Sequence, residues 1–314
     1  MIQKINKDIL STDGVHTLRG VVFVPEHPKA ILQIAHGMTE HIGRYEPFMT
    51  YLAENGFIVC GHDHLGHGRT AESDGDFGYF AKKDGYRIVC DDLYAFGCTI
   101  KSDYPELPFF LMGHSMGSFI ARLTAQAYPD VCRALIVMGT SGKNPLSLPG
   151  LIVSRIIRKV RGERFVSKFV LAVAFSSYNK RMNSDHPFAW LTRDEKELEK
   201  RDGDPFCEFS FTVAAMCDLI RLQSASNRKD WFAGIRKDLP ILLVSGDMDP
   251  VGNYGKGVEE VYAALIAEGV TDVSRKLYSG MRHEILNEID KKIVWQDILD
   301  FLSMQIFEEK NKKF

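Results

Sequence analysis

The amino-acid sequence predicts an α/β protein in which helices flank a mostly parallel central sheet and a helical cap is inserted into the chain. Short apolar runs alternate with helical patterns along most of the 314 residues, which is typical of βαβ units. The alternation stops between Met138 and Ile241, where about 100 residues replace the roughly dozen that an ordinary crossover needs. These observations predict one core domain with one large insertion.

The order of elements follows from the apolar runs. Gln3–Leu10 and Leu18–Val24 flank the turn Asp13-Gly14 and predict an antiparallel hairpin that opens the sheet. Six further runs predict core strands, namely Ala30–Ala35, Phe57–Cys60, Phe109–Met112, Ala134–Met138, Ile241–Ser245 and Ser274–Tyr278. Helical periodicity predicts helices at Tyr45–Glu54, Asp84–Ser102, Ser118–Tyr128, Lys256–Glu268 and Lys291–Phe307.

The insertion sets the domain boundaries. We expect residues 1–140 and 235–314 to form the core and residues 141–234 to form the cap. Residues 143–181 of this cap carry nine lysines and arginines against one acid, Glu163. One helix face there is apolar and consists of Ile152, Val153, Ile156, Ile157 and Val160. A basic amphipathic helix suits contact with a membrane or micelle surface, but such a face can equally pack on the core, and the sequence leaves both interpretations open.

Composition excludes several classes of protein. The chain has 39 lysines and arginines against 41 acids, with 45% hydrophobic and 25% charged residues, which excludes disorder and coiled coil. The absence of a basic excess predicts no nucleic-acid partner. No apolar run approaches the roughly 18 residues of a membrane span, and Lys4, Lys7 and Asp8 stand where a signal peptide needs apolar residues. With six cysteines but no CxxC pair, we expect a cytoplasmic protein with reduced thiols; the sequence does not predict its oligomeric state.

A GxSxG motif at Gly113–Gly117 is the most informative short pattern. An apolar run precedes it and a helical segment follows, which is the strand–turn–helix context of the nucleophile elbow in the α/β-hydrolase fold. A serine hydroxyl is a poor nucleophile until a base removes its proton, and a third group must orient that base. Ser115 is therefore a candidate nucleophile.

The base and the acid follow later strands. His283 comes after the last predicted strand and before the final helix, so we expect it to be the base. Asp249 and Asp247 both follow the strand Ile241–Ser245, and Asp249 is favoured as the acid because it lies deeper in the loop. His36-Gly37-Met38 follows another strand, which predicts that the backbone N–H groups of Met38 and Met116 form an oxyanion hole.

The combined motifs resemble the monoacylglycerol lipase and lysophospholipase-like serine hydrolases. The resemblance covers most of the chain and rests on His36–Tyr45, Asp63–Gly68, Gly113–Gly117, Trp190–Glu195, Asp204–Cys207, Gly246–Asp249 and Tyr278–Glu288. It implies that Ser115, Asp249 and His283 form the triad, that Met38 and Met116 supply the oxyanion hole, and that the insertion gates access of lipid. Glu40 and Arg44 would belong to the polar end that receives a glycerol-like head.

The predicted activity is hydrolysis of the ester of a single-chain lipid, a monoacylglycerol or a lysophospholipid, without metal or organic cofactor. A general carboxylesterase acting on non-lipid esters is an alternative. A rival constellation, His62, His64 and His67, fits HxHxxH and would make the chain a zinc hydrolase. Against that reading, Gly66 stands where such sites place an aspartate, so the sequence favours histidines that bond to the backbone and to neighbouring side chains.

Overall fold

An eight-stranded sheet forms the centre of the protein. The structure is a computed structural model that describes residues 1–312, with side chains described for residues 1–307. The strands are β1 (Gln3–Leu10), β2 (Thr17–Val24), β3 (Ala30–Ala35), β4 (Phe57–His62), β5 (Phe109–His114), β6 (Leu135–Met138), β7 (Ile241–Gly246) and β8 (Val273–Tyr278). Their order across the sheet is β1-β2-β4-β3-β5-β6-β7-β8.

The sheet is antiparallel at one edge and parallel elsewhere. β1 and β2 form the predicted hairpin, β2 runs antiparallel to β4, and all pairs from β4 to β8 are parallel. Every residue of β3, β5 and β6 is buried, as expected for strands covered on both faces. The predicted fold class is therefore confirmed, and the strand boundaries differ from the predicted ones by at most two residues.

Two hydrophobic clusters fill the space between the sheet and the helices, one on each face of the sheet. One cluster joins the sheet to α1 (Glu46–Glu54) and α10 (Lys291–Lys312). The other joins it to α2 (Gly85–Asp103), α3 (Met116–Ala127) and α9 (Lys256–Ala267). The helix α3 begins two residues before its predicted start, directly at the residue after Ser115.

Between β6 and β7 the chain forms five helices: α4 (Ser147–Arg161), α5 (Lys168–Phe175), α6 (Glu195–Asp202), α7 (Val213–Ser226) and α8 (Lys229–Gly234). α7 packs against α2 and α3 of the core, and α4 packs on α7 from outside. The interior of this insertion is continuous with the core cluster, because Phe211 and Trp231 belong to it.

The apolar face of α4 lies at the surface. Ile156 and Val160 are 59% and 75% exposed, and Ile152 and Val153 are exposed as well. Only Ile157 of the face predicted from sequence packs against the core cluster. The alternative that this face is buried on the core is therefore wrong for four of its five residues. Each helix in residues 1–312 is too short or too polar to cross a bilayer.

Candidate active site

Ser115 lies in a tight turn between β5 and α3. Its backbone has φ 54 and ψ −119, a conformation that residues with a side chain rarely adopt and that often marks a functional site. Both glycines of the motif stand at positions that have no room for a side chain. A Cβ on Gly113 would overlap the carbonyl oxygen of Gly117, and a Cβ on Gly117 would overlap that of Ala35. The backbone therefore packs closely around the turn, and the Ser115 side chain is half-buried at the carboxyl edge of the sheet.

His283 and Asp249 form a buried pair. Nδ1 of His283 lies 2.9 Å from Oδ2 of Asp249, which also accepts a hydrogen bond from the Ser245 hydroxyl at 3.0 Å. The other carboxylate oxygen accepts the N–H of Val251 at 2.8 Å. Burial raises the pKa of Asp249, but His283 and these donors outweigh burial, so the pKa is lowered and the carboxylate is ionised. Because this carboxylate accepts from Nδ1, Nε2 of His283 is the nitrogen left to accept a proton.

Ser115 and His283 both lie against the end of β6. The N–H of Ser115 donates to the carbonyl of Met138 at 2.9 Å. The ring of His283 lies against the next residue, Gly139, where a Cβ would be 3.0 Å from Cε1. Among the described side chains no hydrogen bond joins the Ser115 hydroxyl to His283. Catalytic hydrogen bonds are often long or poorly aligned without substrate, so the lack of this bond is compatible with a serine–histidine couple.

Asp247 makes a different contact. Its Oδ1 accepts the N–H of Gly280 at 2.7 Å, which fixes the turn after β8. His283 therefore pairs with Asp249 and not with Asp247. Asp247 holds the loop that carries the histidine, whereas Asp249 holds the imidazole itself.

The loop after β3 packs against the Ser115 turn. A Cβ on Gly37 would lie 3.2 Å from Cβ of Ser115, which places Met38 beside the start of α3. The N–H groups of Met38 and Met116 donate to no other described residue. Met116 also stands at a helix N-terminus, where the backbone carries partial positive charge. Two N–H groups at this position can stabilise an oxyanion.

Glu40 holds that loop in place. Its Oε1 accepts the N–H of Gly37 and the hydroxyl of Tyr45, the latter at 2.8 Å, and lies 3.3 Å from Nδ1 of His114. Its Oε2 accepts from Arg44 at 3.2 Å. Burial acts to raise the pKa of Glu40, but His114, Arg44 and Tyr45 lower it to about 2. The carboxylate is thus a buried anion that fixes the backbone before Met38.

Glu284 is a site residue that sequence reasoning missed. It accepts both arms of the Arg44 guanidinium, at 2.6 and 2.7 Å. Its position next to His283 was visible in the sequence, but nothing in the sequence pairs it with Arg44. Glu40 and Arg44 therefore contact protein partners in this structure, and their direct contact with a substrate head stays a prediction.

Trp190 and His114 also flank the imidazole, a contact that the sequence does not predict. The ring of Trp190 lies 5.1 Å from that of His283, and the His114 ring lies 4.7 Å away on centroids. The backbone of the insertion is joined to the same segment, since His283 N–H donates to Trp190 at 3.3 Å and Glu284 N–H donates to Leu191 at 2.7 Å. The insertion thus contacts the site directly.

The histidines of the rival zinc constellation do not converge. They form a buried cluster with His36, with ring centroids 5.1 Å apart for His62 and His64 and 6.4 Å apart for His64 and His67. Among the described residues, the one group of three candidate ligands whose donor atoms come together lies elsewhere and contains none of them. The alternative that His62, His64 and His67 bind a catalytic zinc ion is therefore wrong.

Some histidines of this cluster form the expected hydrogen bonds, and others do not. His36 accepts the N–H of His64 at 2.9 Å, and Nδ1 of His67 lies 2.9 Å from the carbonyl of Leu65. The ring nitrogens of His62 and His64 have no partner in the described part of the chain. The expectation that these histidines bond to backbone and neighbouring side chains holds for His67 and is wrong for His62 and His64.

The sheet order, the strained serine turn after β5 and the aspartate–histidine pair at the same edge define an α/β hydrolase. The chain belongs to the family described as serine aminopeptidase, S33, which it matches over residues 26–290. The family resemblance read from the sequence is thereby confirmed.

Three similar proteins illustrate this family. A monoglyceride lipase homolog of Monkeypox virus is 39% identical over 279 residues, covering 87% of this chain and 88% of the relative. The monoglyceride lipase of Rattus norvegicus is 28% identical over 263 residues, covering 83% and 78%. A thermostable carboxyl esterase from Bacillus coagulans, solved with glycerol, superposes with a TM-score of 0.90 at 30% identity, covering 96% and 99%. We therefore classify the chain as a carboxylic ester hydrolase.

Proposed function

We propose that the protein hydrolyses monoacylglycerols through an acyl-enzyme formed on Ser115. The observation that carries this proposal is the buried Asp249–His283 pair, 2.9 Å between Oδ2 and Nδ1, packed at the end of β6 where Ser115 is anchored. The same arrangement serves any acyl ester. The choice of a monoacylglycerol is supported by the similarity to monoglyceride lipases and by the charges near the site.

In the first half-reaction the Ser115 oxygen attacks the ester carbonyl while Nε2 of His283 takes the hydroxyl proton. The carbonyl oxygen becomes an oxyanion that accepts hydrogen bonds from the N–H groups of Met38 and Met116. His283 then gives its proton to the leaving glycerol, and the acyl group stays on Ser115. Water repeats these steps on the acyl-enzyme and releases the fatty acid. Asp249 holds the imidazole and offsets its positive charge in both halves.

The head of the substrate is proposed to be uncharged. Arg44 is already paired with the two carboxylates Glu284 and Glu40, at 2.6 and 3.2 Å, so its charge is not available to a phosphodiester. A lysophospholipid would bring a further anion toward these carboxylates, which Coulomb's law disfavours at low dielectric. Glu40 contributes by fixing the loop His36–Met38, which we call the oxyanion loop, and Arg44 contributes by holding Glu40 and Glu284 in place.

A substrate panel tests the proposal. We expect kcat/KM to be highest for monoacylglycerols, lower for lysophosphatidylcholine of the same acyl chain, and measurable for a short p-nitrophenyl ester. Faster turnover of the lysophospholipid would contradict the proposed head group. Turnover of the p-nitrophenyl ester alone would make the chain a general carboxylesterase.

We propose that residues 141–234 act as a cap that delivers the lipid chain. The contact of Trp190 with His283 supports this role, because the insertion then covers the site. The exposed surface of α4 and α5 supports contact with a lipid surface. It consists of Leu148, Ile152, Val153, Ile156, Val160, Phe169 and Val173. Large exposed apolar patches of this kind mark interaction sites. The six cysteines are free, so we place the protein in the reducing cytoplasm, at the membrane periphery.

A basic groove borders this apolar surface. It has a volume of about 460 Å³ and is lined by four basic residues, Lys82, Arg155, Arg158 and Lys159, together with Gly162 and the acid Glu163. Arg158 has partners already, since it donates to the carbonyl of Lys82 and lies 3.5 Å from Glu163. Lys82, Arg155 and Lys159 are exposed and remain for anionic lipids. Each basic group near an anionic membrane contributes about 1 kcal/mol, screened by salt within about a Debye length.

Replacing Lys82, Arg155 and Lys159 by Gln should weaken binding to anionic vesicles and lower turnover of vesicle-borne monoacylglycerol. Three charges of about 1 kcal/mol each correspond to roughly a hundredfold loss of vesicle affinity at low salt. Vesicle sedimentation and turnover assays measure the two effects. Added salt should reduce wild-type binding toward that of the variant.

The control is a triple Gln variant of three exposed lysines elsewhere, Lys229, Lys256 and Lys292, which changes the net charge equally. It should keep most of its vesicle binding. A short soluble ester should be hydrolysed at the wild-type rate by both variants. Equal losses on vesicle-borne and soluble substrates, or no loss on either, would contradict a role of the groove in membrane contact.

A further inference from the structure

A second cluster of chemically reactive side chains lies where the oxyanion loop meets the insertion. His41 follows that loop. Asp204 precedes the short 3₁₀ turn Pro205–Cys207 of the insertion, and Cys207 is the last residue of this turn. The candidate ligand atoms of the three side chains, one from each, all lie within 4.8 Å of one another. This is the group of converging ligands noted above for the described residues, and the proposed ester hydrolysis uses none of its members.

The local backbone holds these side chains in place. Nε2 of His41 lies 2.7 Å from Oδ2 of Asp204. Oδ1 of the same aspartate accepts the N–H of Phe206 at 2.9 Å, and the N–H of Cys207 donates to the Asp204 carbonyl at 2.8 Å. The ring of Phe206 packs on the His41 ring at 5.4 Å. Both sides of the cluster are thus ordered before any ligand binds.

Burial allows an ion to enter from one side. Cys207 is 2% exposed and forms the floor of the cluster. The side chains of His41 and Asp204 are 17% and 23% exposed and form its rim. A hydrated cation can therefore reach the imidazole and the carboxylate first and the sulfur afterwards.

We propose that His41, Asp204 and Cys207 bind a zinc ion that links the oxyanion loop to the insertion. Imidazole, carboxylate and thiolate are the donors that zinc takes in proteins, whereas a thiolate disfavours calcium and magnesium. Zinc bonds of about 2.0–2.3 Å place tetrahedral ligands roughly 3.5 Å apart, so the side chains need to move by about 1 Å. A water completes the fourth position.

Charge balance supports this ion. Binding replaces the thiol proton of Cys207, which leaves to solvent, so that one thiolate and one carboxylate neutralise Zn²⁺. The nearby cation Arg44 does not upset this balance, because Glu284 and Glu40 already pair with it. A neutral complex is the form that a partly buried site tolerates best.

Cobalt substitution tests the site without any use of ester hydrolysis. We expect the chelator-treated full chain to bind one equivalent of Co²⁺ with the ultraviolet thiolate-to-cobalt charge-transfer absorption, which Zn²⁺ then removes by displacement. Zn²⁺ alone should raise the Tm of the wild type. In Cys207→Ser the charge-transfer band should vanish, and in His41→Asn the Zn²⁺ affinity should fall by at least about tenfold because one ligand is lost.

Two variants serve as matched controls. His186→Asn removes another histidine–aspartate pair of the insertion, with Nε2 2.9 Å from Asp202, and Cys98→Ser removes an exposed cysteine. Both should keep the cobalt band and the Tm shift. If Cys207→Ser does not fold, His41→Asn and Asp204→Asn carry the test. A wild type without the charge-transfer band, or a band lost in Cys98→Ser and kept in Cys207→Ser, would overturn the proposal.

Discussion

Ser115→Ala should lower ester hydrolysis by at least about 10³-fold, because among the described residues Ser115 is the hydroxyl held in the strained turn between β5 and α3. Labelling by a fluorophosphonate probe, which forms a covalent bond with an activated serine, should be lost together with activity. The backbone strain at φ 54 is tolerated by alanine about as well as by serine, so the fold should survive. Circular dichroism and thermal unfolding check that point.

Ser118→Ala is the neighbouring control. The Ser118 hydroxyl donates to the carbonyl of Ser115 at 2.6 Å and supports the turn without facing the reaction. Its removal should cost less than about tenfold in rate, as expected for one neutral hydrogen bond. Substantial hydrolysis or probe labelling by Ser115→Ala, measured with chelator present to exclude metal effects, would refute the proposed nucleophile.

Asp249→Asn should lower kcat by about 10⁴-fold while the protein stays folded. The carboxylate fixes the imidazole with its proton on Nδ1, and an amide at this position favours the wrong tautomer. It also removes the negative charge that offsets the imidazolium formed during the reaction. Steady-state kinetics on a soluble ester measure the loss without any contribution from lipid binding.

Asp247→Asn is the matched comparison, since it makes the same chemical change two residues earlier. The amide oxygen of the variant can still accept the N–H of Gly280, so the loss should stay within about tenfold. If the two variants exchange their severity, Asp249 is not the acid of the triad. Equal and severe losses accompanied by a lower Tm would indicate damage to the loops and would not support either assignment.

The sequence predicts the sheet and the catalytic edge well because these depend on local patterns. Strands buried on both faces appear as apolar runs, and β3 coincides with its predicted range. Ser115 and His283 each follow a predicted strand, and the fixed direction of parallel strands brings their loops to one edge. The different contacts of Asp249 and Asp247, with His283 and with Gly280, become visible only in the structure of the loop.

Pairings between distant segments could not be predicted. Arg44 and Glu284 meet although 240 positions separate them, and no local pattern records that contact. The face of α4 was equally ambiguous, because an apolar stripe has the same periodicity whether protein or lipid covers it. Only the tertiary structure shows that this face is exposed, as it does for Ile156, which is 59% exposed.

The buried histidine cluster gives the fold a limit on the acidic side. Burial lowers the pKa of His62 to about 3 and that of His67 to about 4, and burial together with the neighbouring imidazoles lowers the pKa of His36 and His64 well below the ordinary value. When the pH is below the unfolded-state pKa of about 6.5, these histidines bind protons in the unfolded chain but stay neutral in the folded chain. Each of these four groups therefore lowers the free energy of unfolding as the pH falls below that value. We therefore expect the buried histidine cluster to destabilise the fold in acid, with a Tm that falls as the pH drops below about 6.5.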